Sequence, residues 1–260
     1  MNPFEATPSP VVVVAGDWHA NPTYARKAIK HAARTCASHI LHVGDFAYDM
    51  RENHDGSPNF LDQVQEELDR HGMRLGWVDG NHDNHEVLQA LVAEHGHVPI
   101  PIRSNIFYLP RGYRWTWNGV RFLAMGGAHS VDRPWRRPHI EWWPGETISS
   151  ADALRACEGG TADIMICHDV PAGVRIPCIE GNPFRFPQAQ IDAAELNRRV
   201  LRGVVDVVQP RRLFAGHYHC RLTAELLAGN YRTRVDILDA DQAAVDANTT
   251  LLDLGECRRL

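Results

Sequence analysis

Five short apolar stretches in this chain are each followed at once by acidic, amide or imidazole side chains. Each stretch has three to five residues, and four of the five lead into a glycine. Continuous apolar runs of this length are typical of strands buried on both faces. The polar residues that follow them are Asp17, His19, Asp45, Asn81, His82, Asp83, His168, His217 and His219. The fold of this chain must therefore bury these five strands and also bring their polar ends together, and few folds do both.

Strand and helix patterns alternate through the first 95 residues. Strands are predicted at 11–15, 40–43 and 75–78, and segments with helical spacing follow them at about 22–36, 58–71 and 84–95. This order is typical of βαβ units around a buried sheet. We therefore predict an α/β fold.

After Pro101 the pattern changes to short β-branched and aromatic runs. Strands are predicted at 106–109, 113–117 and 120–125, and Asn118-Gly119 between the last two is a strong hairpin signal. We expect this segment to be antiparallel. Residues 126–147 follow as a loop rich in Gly, Pro and Trp. A loop of that length is unusual unless it contributes to a site.

The remaining sequence returns to mixed strand and helix signals. Helices are predicted at 149–157, where Ser149 or Ser150 can act as the cap, and at 187–202. Strands are predicted at 164–167, 213–215, 222–226, 232–238 and 249–254. Since no repeat or linker interrupts the sequence, we expect a single domain over residues 11–256. Residues 1–10 contain three prolines, and we expect them to form a loose, flexible lead-in.

Composition and charge argue against several classes of function. The longest apolar run is far shorter than the roughly 20 residues that span a bilayer, and the N-terminus lacks the pattern of a secretory signal. The formal net charge of -5 argues against bulk nucleic-acid binding. The six cysteines are scattered, with no CxxC pair. We therefore expect reduced thiols in a cytoplasmic protein that does not enter a membrane.

The polar ends of the five predicted strands point to a metal site. Ligands of open α/β sheets lie beyond the carboxyl ends of the strands, so these side chains should converge. Clustered carboxylates repel one another unless protons or cations compensate them. Oxygen and nitrogen donors without thiolate suit manganese, iron or zinc better than calcium, and seven ligands exceed the four or so of a single zinc site. Two metal ions are the simplest explanation.

The ordered motifs resemble those of the calcineurin-like metallophosphoesterases. In chain order they are Asp17-Trp18-His19, Gly44-Asp45, Gly80-Asn81-His82-Asp83, the single His168, and Gly216-His217-Tyr218-His219. They are similar to the DxH, GD, GNHD/E, H and GHxH motifs of that family, and each follows an apolar run. The resemblance implies a four-layer α/β/β/α sandwich of two mixed β-sheets flanked by helices, the metallophosphoesterase fold.

The resemblance also implies a role for each motif residue. The ligands of one ion would be Asp17, His19, Asp45 and His219, and those of the other would be Asp45, Asn81, His168 and His217. A hydroxide bridging the two ions would attack phosphorus. His82 would be the general acid at the leaving group, and Asp83 would hold its ring.

The implied activity is that of a phosphodiesterase acting on a small or nucleotide-like phosphodiester. Two divalent or trivalent ions are expected, with manganese favoured over iron, zinc, nickel and cobalt. Phosphoprotein phosphatases of the family usually carry GDxVDRG and GNHE, whereas this chain has GDFAYDM at 44–50 and GNHD at 80–83. A phosphomonoesterase or protein phosphatase, a metal-dependent nuclease and a non-catalytic scaffold stay open as alternatives. The oligomeric state also stays open.

Substrate contacts are expected from Asn81 and from the loop at 126–147. Arginines pair with phosphate and indole rings stack on bases, so Arg133 and Trp143 are candidates. His129 is a third candidate because it ends a Gly-Gly-Ala-His segment. The alternative interpretation is that the tryptophans are core residues and the arginines are solvated.

Overall fold

The computed structural model describes residues 3–48 and 58–259, and these form two six-stranded sheets with helices outside. The strands of the first sheet are β1 (Val11–Ala15), β2 (His39–His42), β3 (Arg74–Trp77), β4 (Ile100–Arg103), β5 (Ile106–Tyr108) and β12 (Thr249–Asp253). The strands of the second sheet are β6 (Arg114–Trp117), β7 (Val120–Met125), β8 (Ile164–Cys167), β9 (Arg212–Ala215), β10 (Leu222–Ala228) and β11 (Tyr231–Ile237). The last two residues of the GDFAYDM segment lie outside the described residues.

The two sheets share one plan. The first has the strand order β12-β1-β2-β3-β5-β4, and the second has the order β10-β11-β9-β8-β7-β6. In each sheet the four central strands are parallel and the two edge strands are antiparallel to them. The carboxyl ends of the central strands therefore lie together at one edge of each sheet.

Helices cover the outer faces of both sheets, and the short last helix of the chain packs through Leu254 and Cys257 in the cluster between the sheets. They are α1 (Pro22–Ala33), α2 (Phe60–His71), α3 (His85–His95), α4 (Ser150–Glu158), α5 (Gln188–Val208), α6 (Val245–Asn248) and α7 (Leu254–Arg259). In β1, Val12 and Val14 pack between the sheets, whereas Val13 and Ala15 pack in the same cluster as α1 and α2. A third cluster joins the second sheet to α4 and α5. The predicted four-layer sandwich is confirmed.

Two local predictions are confirmed at the level of backbone geometry. Trp117 pairs with Val120 across a two-residue turn, and Asn118 and Gly119 have φ of 50° and 79°. These angles suit a hairpin turn that needs positive φ at both central residues. Ser149 caps α4, and its capping box is completed by Asp152.

The region after residue 100 differs from its prediction in one respect. We expected 106–125 to form one antiparallel segment. This is wrong for β5, because it lies in the first sheet, parallel to β3, and does not join β6 and β7. Its antiparallel neighbour is β4, which the sequence pattern did not predict. Pro101 weakens the strand pattern there, because proline cannot donate to a ladder and is confined to edge positions. A strand's partner depends on tertiary packing and is not encoded in its own pattern.

The N-terminal segment, which we expected to be a flexible lead-in, makes a contact with the core. Pro3–Glu5 forms a short 3₁₀ helix, and Phe4 is completely buried. Its ring lies 5.0 Å from that of Trp117 and 5.8 Å from that of Phe107, so it fills the space between the two sheets. Among the described residues, no helix combines the length and the apolar character needed to cross a membrane.

Candidate metal centre

The polar motif residues lie where the central strands of the two sheets end. Asp17 and His19 follow β1, Asp45 follows β2, and Asn81 follows β3 in the first sheet. His168 follows β8, and His217 and His219 follow β9 in the second sheet. The seven predicted ligands therefore meet where the edges of the two sheets come together.

Four of these residues form a first cluster. The ligand atoms of Asp17, His19, Asp45 and His219 all lie within 4.8 Å of one another. His19 Nε2 is 3.3 Å from Asp45 Oδ2, and His219 Nε2 is 3.4 Å from Asp17 Oδ2. Two carboxylates and two imidazoles that face one point are a set that manganese, iron or zinc accepts.

A second cluster shares Asp45 with the first. His168 Nε2 lies 3.2 Å from Asp45 Oδ1 and 3.2 Å from Asn81 Oδ1. The ring of His217 lies 5.1 Å from that of His168, measured between centroids. Asp45 thus directs Oδ2 to the first cluster and Oδ1 to the second, which is the arrangement expected of a bridging carboxylate.

The backbone around the clusters is held in an uncommon conformation. Four ligands have positive φ, namely His19 (45°), Asp45 (54°), His217 (68°) and His219 (47°). Such angles cost about 1–3 kcal/mol each and persist where the surrounding structure enforces them, often at functional sites. The glycines before the motifs allow the close approach, since a Cβ at Gly80 would lie 2.2 Å from Asp45 Oδ1 and one at Gly216 would lie 2.0 Å from Asp17 Oδ1.

The electrostatics of the clusters fit a bound cation. Burial lowers the pKa of His168, but the Asp45 carboxylate outweighs burial and raises the pKa to about 10. The pKa of His19 is likewise lowered by burial and raised by Asp45, to about 9. Both shifts mean that the buried carboxylates favour positive charge at this point. Asp17 Oδ1 is buried without a hydrogen-bond partner among the described residues, and a cation would satisfy it.

Hydrogen bonds behind the ligands orient them. His168 Nδ1 donates to the Val43 carbonyl at 2.9 Å, which directs Nε2 toward the clusters. Asn81 Nδ2 donates to Ser130 Oγ at 3.1 Å, and Ser130 Oγ donates to the buried Glu146 at 2.8 Å. Ser130 and Glu146 lie in the loop at 126–147, and no motif marks them. The unusual length of the loop was the sequence signal for them.

The surroundings of His82 differ from the expected ones. Asp83 accepts from the backbone N–H groups of Gly80 and Tyr48, each at 2.8 Å, so it holds the turn rather than the His82 ring. The ring instead lies against Arg136, whose Nη2 is 2.9 Å from Nε2. Burial and Arg136 lower the pKa of His82 to about 4, although Asp45 opposes them. Arg136 is one of the arginines of the loop at 126–147, and its contact with His82 was not predicted from the sequence.

A sequence comparison identifies the family. The model of the family described as calcineurin-like phosphoesterase matches residues 10–221, a span that contains both clusters. The chain belongs to the calcineurin-like phosphoesterases.

Curated relatives of this calcineurin-like phosphoesterase are lariat debranching enzymes. Those of Drosophila pseudoobscura pseudoobscura and Drosophila melanogaster are each 28% identical to it over an alignment of 162 residues that covers 57% of this chain. The match covers 29% of the length of each relative, so the chain corresponds to less than a third of those proteins.

Solved structures share the calcineurin-like fold. A protein of Thermus thermophilus superimposes with a TM-score of 0.56 at 14% identity, and the match covers 95% of both chains. A dimetal phosphatase from Danio rerio superimposes with a TM-score of 0.57 at 15% identity, covering 95% of this chain and 93% of the other. At these identities the likeness shows the fold alone.

A cavity of about 450 Å³ opens onto the metal ligands of this calcineurin-like phosphoesterase. Asp45, Asn81 and His82 are part of its lining. The loop at 126–147 contributes Asp132 and Arg136 to the lining, whereas His129, Arg133 and Trp143 are not part of it. We call these last three residues the supporting layer of the loop.

That layer holds the loop in place. His129 and Arg133 both contact Gln190 of α5, at 3.0 Å and 2.9 Å. Arg133 also lies over the Trp142 ring, with its guanidinium carbon 5.0 Å from the ring centroid. Trp143 is 2% exposed and is a core residue. The loop therefore meets the cavity through Val131, Asp132 and Arg136, and Arg133 connects it to α5.

Proposed function

We propose that this protein hydrolyses a small or nucleotide-like phosphodiester with the help of two metal ions. The observation that carries the proposal is the position of Asp45, which has one carboxylate oxygen in each of two adjacent ligand clusters. Both clusters adjoin the same cavity. Two ions in such a site would neutralise phosphoryl oxygens and acidify a water molecule.

The residues of the chain divide the work between binding and proton transfer. The first ion would be held by Asp17, His19, Asp45 and His219, and the second by Asp45, Asn81, His168 and His217. Arg136 lines the cavity and can pair with a phosphoryl oxygen. His82 lies beside Arg136, and its pKa is lowered to about 4. For His82 to donate a proton to the leaving oxygen, the bound phosphoryl group would have to pair with Arg136 and so raise that pKa. Manganese is the ion we favour, because the donors are oxygen and nitrogen.

A diester is favoured over a monoester by the motif residues. The third motif ends in Asp83, and the second lacks the VDRG extension of the phosphoprotein phosphatases. The two relatives are named as lariat debranching enzymes, so nucleic acid is the second candidate substrate. A long polymer needs positive charge along its path. Two arginines line the cavity, and one of them, Arg198, is already bonded to Glu195 and to the Val170 carbonyl. The cavity lining therefore favours a small substrate over a long polymer.

The direct test compares two substrates on one enzyme preparation. The purified protein is chelated, reloaded with Mn²⁺ and assayed on methyl p-nitrophenyl phosphate and on p-nitrophenyl phosphate. We expect metal-dependent hydrolysis that is faster for the diester. A faster monoester reaction would replace the proposal with a phosphomonoesterase. No hydrolysis of either ester with two ions bound would favour the non-catalytic scaffold.

The proposed role of His82 predicts a dependence on the leaving group. A His82→Ala variant should slow diesters with poor leaving groups most, because p-nitrophenolate departs without a proton. The loss should be about 100-fold or more for an alkyl leaving group and smaller for p-nitrophenyl. Equal losses for both groups would rule out the role as acid. Metal content measured on the same samples is the control.

A further inference from the structure

The cavity has a second part that the metal chemistry does not use. Phe184, Phe186, Ile179 and Ile191 contribute an apolar surface to the lining that also contains Asp45, Asn81 and His82. We call these four residues the aromatic wall. A cavity of about 450 Å³ is in the range that binds small organic ligands. One end of a ligand in it would lie at the metal ligands and the other against the aromatic wall.

The loop that carries Phe184 and Phe186 is held by its own hydrogen bonds. The Asn182 side chain donates to the Phe186 carbonyl and accepts from the Phe186 N–H, both at 2.9 Å. Asn182 and Arg185 have φ of 53° and 56°. A loop that keeps two non-glycine residues at positive φ is fixed by its surroundings. Phe184 is therefore presented on a well-defined turn although its side chain is 65% exposed.

The exposed aromatic rings continue beyond the wall. The Phe184 and Phe186 ring centroids are 5.8 Å apart, and that of Trp135 lies 5.9 Å from Phe186. Trp135 is also 65% exposed and belongs to the same loop as Arg136. Two large aromatic side chains left exposed beside a cavity are a feature of binding surfaces, because aromatic area is otherwise buried.

The charged groups near the wall are already paired. Asp132 lies 2.7 Å from Arg136, and Glu195 lies 3.0 Å from Arg198. Asn182 uses both ends of its amide within its own loop. Few polar groups are thus left here to hydrogen-bond the edge of a ring, whereas the Phe184 side chain is 65% exposed. Such a surface binds a flat aromatic group through its face, and base–aromatic stacking tolerates different bases.

We infer that the aromatic wall is a subsite for a nucleobase, so that the substrate is a nucleotide phosphodiester whose base stacks on Phe184. The inference rests on the proposed function for the position of the phosphoryl group, which places it at Arg136 and the metal ligands. It adds to the proposed function that one ester group of the substrate is a nucleoside and that Phe184 selects this group. It also predicts weak discrimination between bases.

The test is a binding measurement on the manganese-loaded protein and does not require turnover. Calorimetric titrations compare thymidine 5′-monophosphate with 2-deoxyribose 5-phosphate, which lacks only the base. The wild-type protein should bind the nucleotide at least about 10-fold more tightly, and Phe184→Ala should shrink that ratio about 5- to 100-fold. Phe184→Trp should keep the preference. Leu196→Ala removes a residue of α5 that is 61% exposed and outside the cavity lining, and it should match the wild type.

Three outcomes would overturn the inference. They are equal affinity of the two ligands in the wild type, an unchanged ratio in Phe184→Ala, and binding of octyl phosphate as tight as that of the nucleotide. The last result would make the wall an alkyl-chain site. Adenosine 5′-monophosphate should bind within a few-fold of the thymidine nucleotide, and strong selection of one base would contradict stacking as the basis. A nucleotide preference without diester hydrolysis would leave the subsite standing and remove the proposed function, and the reverse pattern would do the opposite.

Discussion

The amide of Asn81 is held in one orientation by a short relay of buried groups. Glu146 is completely buried and accepts from both the N–H and the hydroxyl of Ser130, at 2.8 Å each. Because that hydroxyl donates to Glu146, its lone pairs are left for Asn81 Nδ2. Asn81 Oδ1 must then face His168 and the second cluster. A flipped amide would place two N–H groups there.

A Ser130→Ala substitution should therefore weaken the second metal site more than the first. Loss of such an indirect contact typically costs about 10- to 100-fold in metal affinity. Titration of the chelated protein with Mn²⁺ would resolve the two affinities, and the first site is the internal control. An equal loss at both sites would indicate general loosening of the loop instead of a role in orienting Asn81.

His39 couples folding to pH independently of the metal site. Its side chain is buried against Phe4 and Trp117, and burial together with Arg74 lowers its pKa to about 4. The unfolded value is about 6.5. Since the folded state binds the proton less readily, the contribution of His39 is complete above about pH 6.5 and is lost as the pH falls toward 4.

Replacing His39 by Phe should flatten the acid side of the stability curve. The wild type should lose about 2–3 kcal/mol more than the variant between pH 7 and pH 4. Urea unfolding at a series of pH values measures this difference. His95→Phe is the matched control, because that side chain is exposed. It should leave the dependence of stability on pH as it is in the wild type. If the stability of His39→Phe fell with decreasing pH as steeply as that of the wild type, the assignment of this pH dependence to His39 would be refuted.

At the scale of elements, Arg111 joins the end of β3 to the loop at 126–147. Its guanidinium lies 2.6 Å from the completely buried Asp79. It also donates to the carbonyls of Gly145, Glu146 and Thr147 at 2.7–3.0 Å. The opposite charge of Arg111 keeps the pKa of Asp79 low in spite of burial. One side chain thus satisfies a buried carboxylate and three carbonyls of the loop that supplies Ser130 and Arg136.

An Arg111→Met variant should be strongly destabilised. The substitution leaves Asp79 buried without a counter-charge, and removing one partner of a buried ion pair typically costs about 3–5 kcal/mol. Guanidinium unfolding of metal-free protein would measure the loss. Arg137→Met breaks an exposed pair with Glu141 in the same loop and should change stability by less than about 1 kcal/mol. Similar effects of the two substitutions would contradict the argument.

The elements themselves were largely predictable, and their partners were not. The strand of Ile164–Cys167 and the hairpin at Asn118-Gly119 follow from local signals that the structure reproduces. β5 has an equally clear local pattern, yet it crosses to the first sheet. α5 continues to Val208, beyond its predicted end at 202, because Val204, Val205 and Val208 are buried under the second sheet. Burial by another element extends a helix that local signals end earlier.

At the scale of the whole molecule, the candidate metal centre joins the two sheets. Asp17, His19 and Asp45 come from the first sheet, and His168 and His219 come from the second. A cation shared by both sets would add a link between the two layers. Metal binding and the stability of the sandwich are therefore coupled.

Manganese should raise the melting temperature of the chelated protein. At a free concentration 100 times the Kd, one site adds about 2.7 kcal/mol, which corresponds to a rise of about 5–10 °C for a chain of this size. Asp45→Asn removes the carboxylate common to both clusters and should abolish most of the rise and the bound metal. Asp246→Asn, at an exposed position, should keep both. An undiminished rise in Asp45→Asn would refute the coupling.

The sequence by itself determined the alternation of strands and helices and the seven candidate ligands, and the resemblance of its motifs implied the family and the sandwich. Those features are local, because each motif lies directly after an apolar strand and its residue types carry the chemistry. The tertiary structure alone decided what lies around the ligands: Ser130 and Glu146 behind Asn81, Arg136 against His82, and the aromatic wall at Phe184. These residues reach the site from loops that are distant in sequence. Their contacts depend on how two sheets and their loops pack, and no local pattern encodes that packing.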